Sequence, residues 1–201
     1  MSIPKVEEAV RILDDAEKIN PGLWGEHSRV VASTAKLIAR HCDNMDEDIA
    51  YVLGILHDIG RIKGVKHLSH VIDGYRYLLS CGYEEVAFIS ITHSFPIKEI
   101  DTYIGEVDCS KEDVKFIERY IMDREYTEYD RLIQLCDAIA LPHGAVLMEK
   151  RWVDVVMRYG VPEGITKKWK AYIDLKEHFD RLAGCNIYTL IPDIVNNTFE
   201  W

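Results

Sequence analysis

The strongest constraint on the fold is the helical periodicity of apolar residues along most of the 201-residue chain. Val6, Val10 and Leu13 belong to the first such segment, at spacings of three and four residues that place apolar side chains on one face of a helix. Gly or Pro follows several of these segments and marks where a helix ends. No alternating strand pattern extends beyond a few residues, so we expect an all-α fold. Helices are predicted before residue 20 and over residues 24–41, 46–60, 67–80, 84–94, 110–122, 127–141, 145–158 and 166–183.

The segments outside these helices are few. Residues 95–109 have the composition of a loop that could lie over a pocket, and the tail after Cys185 is expected to be irregular. Aromatic residues recur from Trp152 to Phe179 at near-helical spacing, which usually means core packing. The length and the 48% content of apolar residues suit one globular domain over residues 1–201.

Composition excludes several kinds of partner. The formal net charge of -10 disfavours binding to an extended nucleic acid, although local cations could still admit a small anionic substrate to a cleft. No run approaches the roughly 20 apolar residues that span a bilayer. The N-terminal residues are acidic where a signal peptide is basic, so we expect a cytoplasmic protein without a membrane partner. The five cysteines are scattered and form no Cys-x-x-Cys pair, which argues against disulfides or a thiolate zinc site.

Five separated stretches carry side chains that suit divalent metals. Imidazole nitrogens and carboxylate oxygens bind first-row divalent ions, and a mixed set of this size could hold two ions that share one aspartate. The adjacent pair at the end of the third predicted helix points its side chains about 100° apart, so that both could grip one ion. The candidate ligands are His27, His57, Asp58, His70, His93 and Asp137.

The helical pattern turns these residues inward. His27 shares a face with apolar residues of its helix, and His93 follows Val86 and Ile89 at helical spacing. Asp137 lies on an apolar face with Ile133, where a carboxylate rarely remains without a cation or strong hydrogen bonds. The inward placement therefore favours a buried metal site over solvated side chains.

The set resembles the HD-domain metal-dependent phosphohydrolase superfamily, whose signature is H…HD…D on an all-helical core. His27, the pair His57-Asp58 and Asp137 match that signature in order, and His70 and His93 fit the two histidines that members with two metals add. The resemblance covers about residues 23–142. It implies an HD-domain helical bundle with a C-terminal helical extension over residues 143–201.

The resemblance also implies a chemistry. Two divalent transition metals (Fe, Mn, Co, Ni or Zn, with Mg also compatible) bridged by Asp58 would activate a water to hydroxide for attack on phosphorus. A small phosphorylated, nucleotide-like molecule is the expected substrate. Arg61, Lys63 and Lys66 follow the HD pair and are candidate substrate contacts, the first two also as catalytic cations, and His67 is a candidate proton donor.

Other functions remain open at this point. The same ligands resemble HD-type mixed-valence di-iron oxygenases, which would act on a small phosphonate or polyol with dioxygen. A non-catalytic module that senses a nucleotide or metal is a further alternative. A mononuclear centre would use only His27, His57, Asp58 and Asp137. The C-terminal helices are expected to brace the domain or to form the face of a homodimer.

Overall fold

The computed structural model describes residues 3–64 and 66–199 of the chain. Within these residues there are ten α-helices, three short 3-10 turns and one two-stranded sheet, so the predicted all-α class is confirmed. The helices are α1 (Val6–Ile19), α2 (Leu23–Ala39), α3 (Glu47–Leu56), α4 (Ser69–Ser80), α5 (Glu84–Thr92), α6 (Lys111–Asp123), α7 (Glu128–Asp137), α8 (Met148–Tyr159), α9 (Ile165–Ala183) and α10 (Ile194–Phe199). The 3-10 turns are Ile59–Lys63, Ile100–Thr102 and Ile187–Thr189.

Two regions differ from the sequence prediction. The helix predicted over 127–141 ends at Asp137, because the chain then forms an antiparallel hairpin of β1 (Ala140–Leu141) and β2 (Gly144–Ala145). Pro142 lies in its turn, where a missing backbone N–H costs no ladder hydrogen bond. The tail after residue 185 is not wholly irregular, since it contains the last 3-10 turn and α10.

Side-chain caps fix where several helices begin. Asp46 accepts hydrogen bonds from the backbone N–H groups of Asp48 (2.8 Å) and Ile49 (3.0 Å) at the start of α3. Thr127 and Asp130 cap α7 reciprocally, each side chain accepting from the other residue's backbone N–H. These caps fix the starts of two helices whose C-terminal ends lead to candidate ligands.

The main core lies where α2 and α3 cross, with α1, α7 and α9 packed around them. Their crossing is close because Gly54 faces α2: an added Cβ there would lie 2.7 Å from the Cα of Ala32. A second apolar cluster, which includes Leu68, Ile91 and Ile117, packs α6 against α4 and α5. No helix within the described residues combines the length and the apolar character needed to cross a membrane.

The Gly54→Ala variant tests this crossing. The added methyl group meets backbone atoms of Ala32, which cannot rotate away, so we expect a loss of about 1–3 kcal/mol in the free energy of unfolding. Guanidinium chloride unfolding measures the loss. Lys115→Ala, an exposed replacement on α6, is the control and should change stability by less than about 0.5 kcal/mol. Equal stability of the two variants would contradict the close crossing.

Candidate metal centre

Helix ends carry most of the candidate ligands. His57 is the C-cap residue of α3 and His93 that of α5, while Asp58 follows at once and Asp137 is the last residue of α7. The other two, His27 and His70, lie in the first half of α2 and α4. The structure therefore brings all six candidates to one place between the helices.

The six residues form two groups that share Asp58. Ligand atoms of His27, His57 and Asp58 lie within 4.8 Å of one another, and so do those of Asp58, His70 and His93. Asp137 joins the first group, since its Oδ1 is 3.0 Å from Nε2 of His27. Oδ1 of Asp58 lies 3.1 Å from Nε2 of His70 and 3.7 Å from Nε2 of His93.

The backbone orients three of the histidines. Nδ1 of His57 lies 2.7 Å from the carbonyl oxygen of Gly54, and Nδ1 of His93 lies 3.1 Å from that of Ile89. Nδ1 of His70 is hydrogen-bonded to the carbonyl oxygen of His67. When Nδ1 donates its proton to a carbonyl, Nε2 is left with a lone pair for a metal. Each ring is thus fixed with Nε2 towards the cluster.

Two polar atoms of the cluster are buried without a hydrogen bond. Nε2 of His57 and Oδ1 of Asp58 have no hydrogen-bond partner among the described residues. His57 and Asp58 are only 1% and 4% exposed, so an unsatisfied atom there carries a large desolvation penalty. A divalent cation bound between the two groups would satisfy both atoms, so the residues fit such an ion.

Electrostatics keep the carboxylates of Asp58 and Asp137 charged, and burial favours the neutral forms of His27 and His93. Burial alone would raise the pKa of Asp58, but the positive charge of Arg61 and the neighbouring His70 hold that pKa well below its usual range. Burial would likewise raise the pKa of Asp137, but the hydrogen bond from His27 and the nearby imidazoles of His27, His57 and His93 together hold it far below its usual range. Burial lowers the pKa of His93 to about 3 and lowers that of His27. Ionised carboxylates and neutral imidazoles are the forms that bind metals.

Arg61 holds the shared carboxylate in place. Its Nε donates to Oδ2 of Asp58 at 2.5 Å, which leaves Oδ1 facing the histidines. An Nη donates to the carbonyl oxygen of Lys66 at 3.2 Å, and the carbonyl oxygen of Arg61 accepts from Asn20. Arg61 is therefore held by the backbone of Lys66 and by the side chain of Asn20, and it also lines a cavity beside the cluster.

The other cations predicted near the HD pair point elsewhere. Lys63 and Lys66 approach the two oxygens of Asp73, at 2.9 and 3.5 Å, and neither belongs to the cavity wall. The ring of His67 packs edge-on against Tyr159, with centroids 5.8 Å apart. Substrate contacts by Lys63 and Lys66 and proton donation by His67 stay predictions.

Close backbone contact sets the distance between the two ligand groups. Gly60 follows the HD pair, and a Cβ there would lie 2.0 Å from the carbonyl oxygen of His70 and 2.5 Å from the N of Gly74. A Cβ at Gly74 would lie 3.1 Å from the N of Gly60. The two glycines let α4 approach the HD segment without intervening side chains, which brings His70 to Asp58.

Polar contacts fix the helices that carry His93 and His70. The amide of Gln134 on α7 donates to the carbonyl oxygens of Thr92 (2.9 Å) and Phe95 (3.2 Å), on either side of His93. The carboxylate of Asp108 accepts from the backbone N–H of Ser69 at 2.7 Å, at the start of α4. The loop over residues 95–109 is thereby attached to the helix of His70.

A cavity of about 540 Å³ opens onto the cluster. Five of the six candidate ligands line it, together with Tyr103 and Ile104 from the 95–109 loop, which therefore borders the pocket as its composition predicted. The C-terminal helices α8 and α9 supply much of the remaining wall. Their contribution consists of Arg151, Trp152, Asp154, Val155, Val156, Arg158, Tyr159, Ile165, Lys168, Trp169 and Tyr172.

These C-terminal wall residues were not identified from the sequence. The aromatic residues expected in the core divide: Phe179 is buried in it, whereas Trp152 and Trp169 stack at 5.1 Å between centroids in the cavity wall. A signal did exist for Lys168, which interrupts an apolar stripe with Ile165 and Tyr172 at spacings of three and four residues.

Comparison with known proteins agrees with this geometry. The family model of the HD domain matches residues 24–141, more than half of the chain. The chain belongs to the HD-domain family. The matched residues include all six candidate metal ligands, whereas α8 and α9 lie outside the match. No curated protein and no solved structure gave a match.

The lowered histidine pKa values predict the pH dependence of stability in the metal-free protein. An unfolded histidine binds a proton below about pH 6.5, whereas burial keeps His93 neutral down to about pH 3. Between these values the unfolded chain binds more protons, so stability should fall as the pH is lowered from about 6.5 towards 3. Guanidinium chloride unfolding of chelator-treated protein at several pH values measures this.

Replacing His93 should change how steeply the free energy of unfolding falls as the pH is lowered. We expect His93→Asn to lose stability less steeply with acidification, and His41→Asn, at an exposed position, to follow the wild type. An unchanged slope in His93→Asn would mean that His93 is protonated alike in the folded and unfolded states.

Proposed function

We propose that this chain is a metal-dependent phosphohydrolase that cleaves a phosphoester or phosphoanhydride of a small nucleotide-like substrate. The observation that carries the proposal is Asp58, whose carboxylate is shared by two groups of histidines in the wall of a substrate-sized cavity. Membership of the HD-domain family supports it, because metal-dependent phosphohydrolases are common in that family.

The two groups of ligands would hold two ions. His27, His57, Asp58 and Asp137 would bind one, and Asp58, His70 and His93 the other. When bound, two divalent transition metals such as manganese, cobalt or iron supply a hydroxide nucleophile at neutral pH and neutralise charge on the phosphate oxygens.

The protein's own residues then hold and orient the reacting groups. Arg61 keeps Asp58 ionised and in one orientation, through the 2.5 Å hydrogen bond to Oδ2. Tyr103 lines the cavity, and because burial raises its pKa, its phenol remains protonated and can donate a hydrogen bond. Both residues act where charge must be held in place during phosphoryl transfer.

The cavity walls suit a substrate with a planar part. The stacked indoles of Trp152 and Trp169, 6° from parallel, lie in the same wall as Tyr159. Indole Nε1 of Trp152 is buried and has no hydrogen-bond partner among the residues described, so it could donate to a ligand. Aromatic walls with a few polar donors are typical of sites for nucleobases and similar rings.

The activity is tested by a screen of nucleoside mono-, di- and polyphosphates. Manganese- or cobalt-loaded protein should release phosphate from some of them without oxygen, and Asp58→Asn should lower the rate by about 100-fold or more, since one bridging charge is lost. Asp113→Asn on α6 is the control and should keep the wild-type rate. Substrate-dependent oxygen consumption by iron-loaded protein, with no hydrolysis, would instead favour the oxygenase.

Metal analysis tests the number of ions. We expect about two ions per wild-type chain, about one in His70→Ala, and less than one in Asp58→Ala, because Asp58 belongs to both groups. His41→Ala, an exposed histidine outside the cluster, should retain the wild-type content. If the wild type contained about one ion and His70→Ala and His93→Ala kept it, the centre would be mononuclear.

A further inference from the structure

Lys168 is a buried cation on an apolar face of α9. It is 6% exposed and lies between Ile165 and Tyr172, which are themselves 7% exposed. Lysine is rarely buried to this degree unless it is paired, because removing an ammonium group from water is costly. The residue also lies outside the region that matches the HD domain.

The hydrogen bonds of Lys168 are made to neutral groups, and the carboxylate of Asp137 acts on its charge only at longer range, without an ion pair. Nζ donates to the carbonyl oxygens of Ser94 (3.1 Å) and Thr102 (3.0 Å), which are neutral groups. An ammonium group has three N–H donors, and no third partner occurs among the residues that the structure describes. Since Lys168 lines the cavity, the remaining donor is available to a ligand there.

Every other Lys or Arg in the described cavity wall is paired with a carboxylate. Arg61 is 2.5 Å from Asp58, and Arg151 and Arg158 are 2.9 and 2.5 Å from Asp154. Among the described residues, no carboxylate forms an ion pair with Lys168. Burial lowers its pKa to about 8, so the group is still largely protonated at neutral pH.

We propose that Lys168 is a substrate-binding residue whose ammonium group binds an oxyanion of the substrate inside the cavity. The proposal rests on the proposed function in taking that oxyanion to be a phosphate. Ser94, one of the two anchors of Nζ, directly follows the ligand His93. The anion is therefore bound beside the second ligand group, by a residue of the C-terminal extension.

Binding of inorganic phosphate to the manganese-loaded protein tests this inference by isothermal titration calorimetry. Lys168→Met keeps an apolar stem of similar length and removes the charge, while Lys168→Arg keeps the charge. The matched control is Lys167→Met, one residue away, whose exposed ammonium pairs with Glu99. Metal content and circular dichroism of each variant are measured on the same samples.

We expect Lys168→Met to weaken phosphate binding by about tenfold or more, with wild-type metal content and helicity, because a charge-assisted hydrogen bond is lost. Lys168→Arg should restore most of the affinity, and Lys167→Met should match the wild type. Unchanged phosphate affinity in Lys168→Met overturns the inference. Loss of fold or metal in both Lys168→Met and Lys168→Gln also overturns it, since the residue would then be structural.

The same measurements separate this inference from the proposed function. Phosphate binding that depends on Lys168, in a protein that hydrolyses none of the screened phosphates, would count against the phosphohydrolase alone. Hydrolysis that is unaffected by Lys168→Met in both KM and kcat, with unchanged phosphate affinity, would count against the role of Lys168 alone.

Discussion

The ionised carboxylate of Asp58 is the constraint on which the rest of the site depends. A buried carboxylate is stable only with positive charge nearby. Arg61 supplies that charge on one side of Asp58, and two groups of histidines lie on the other side. The helices are arranged accordingly, with the C-terminal ends of α3, α5 and α7 directed to one place. The hydrophobic core fixes the positions of these helix ends, and the charges of Asp58 and Arg61 determine which ions the site can bind.

Much of the helical framework could be predicted from the sequence because its signals are local. Apolar spacing and terminal glycines place most helices within a few residues, and the candidate ligands were recognisable because their residue types and order are unusual. The hairpin after Asp137 was missed, because a strand of two residues has no periodicity to detect. The directions of Lys63 and Lys66 could not be predicted either, since their pairing with Asp73 depends on how α4 docks.

The cavity wall was the least predictable part of the site. Trp152 and Trp169 have the spacing of core residues, and only the packing of α8 and α9 over the cluster reveals that they face a cavity. A wall of this kind is built from segments distant in sequence, so no local pattern records it. The HD core and the C-terminal extension thus contribute different parts of the site: the candidate ligands come from the first, and the stacked indoles and Lys168 of the cavity wall come from the second.

The glycine contact between the HD segment and α4 has a consequence for how such a centre can diverge. Because Gly60 meets the backbone at His70 directly, the separation of the two ligand groups is set by main-chain atoms and not by intervening side chains. The pocket walls can then change while the spacing of the two groups of candidate ligands stays constant. Replacements in α8 and α9 would alter the shape of the cavity without moving the candidate ligands.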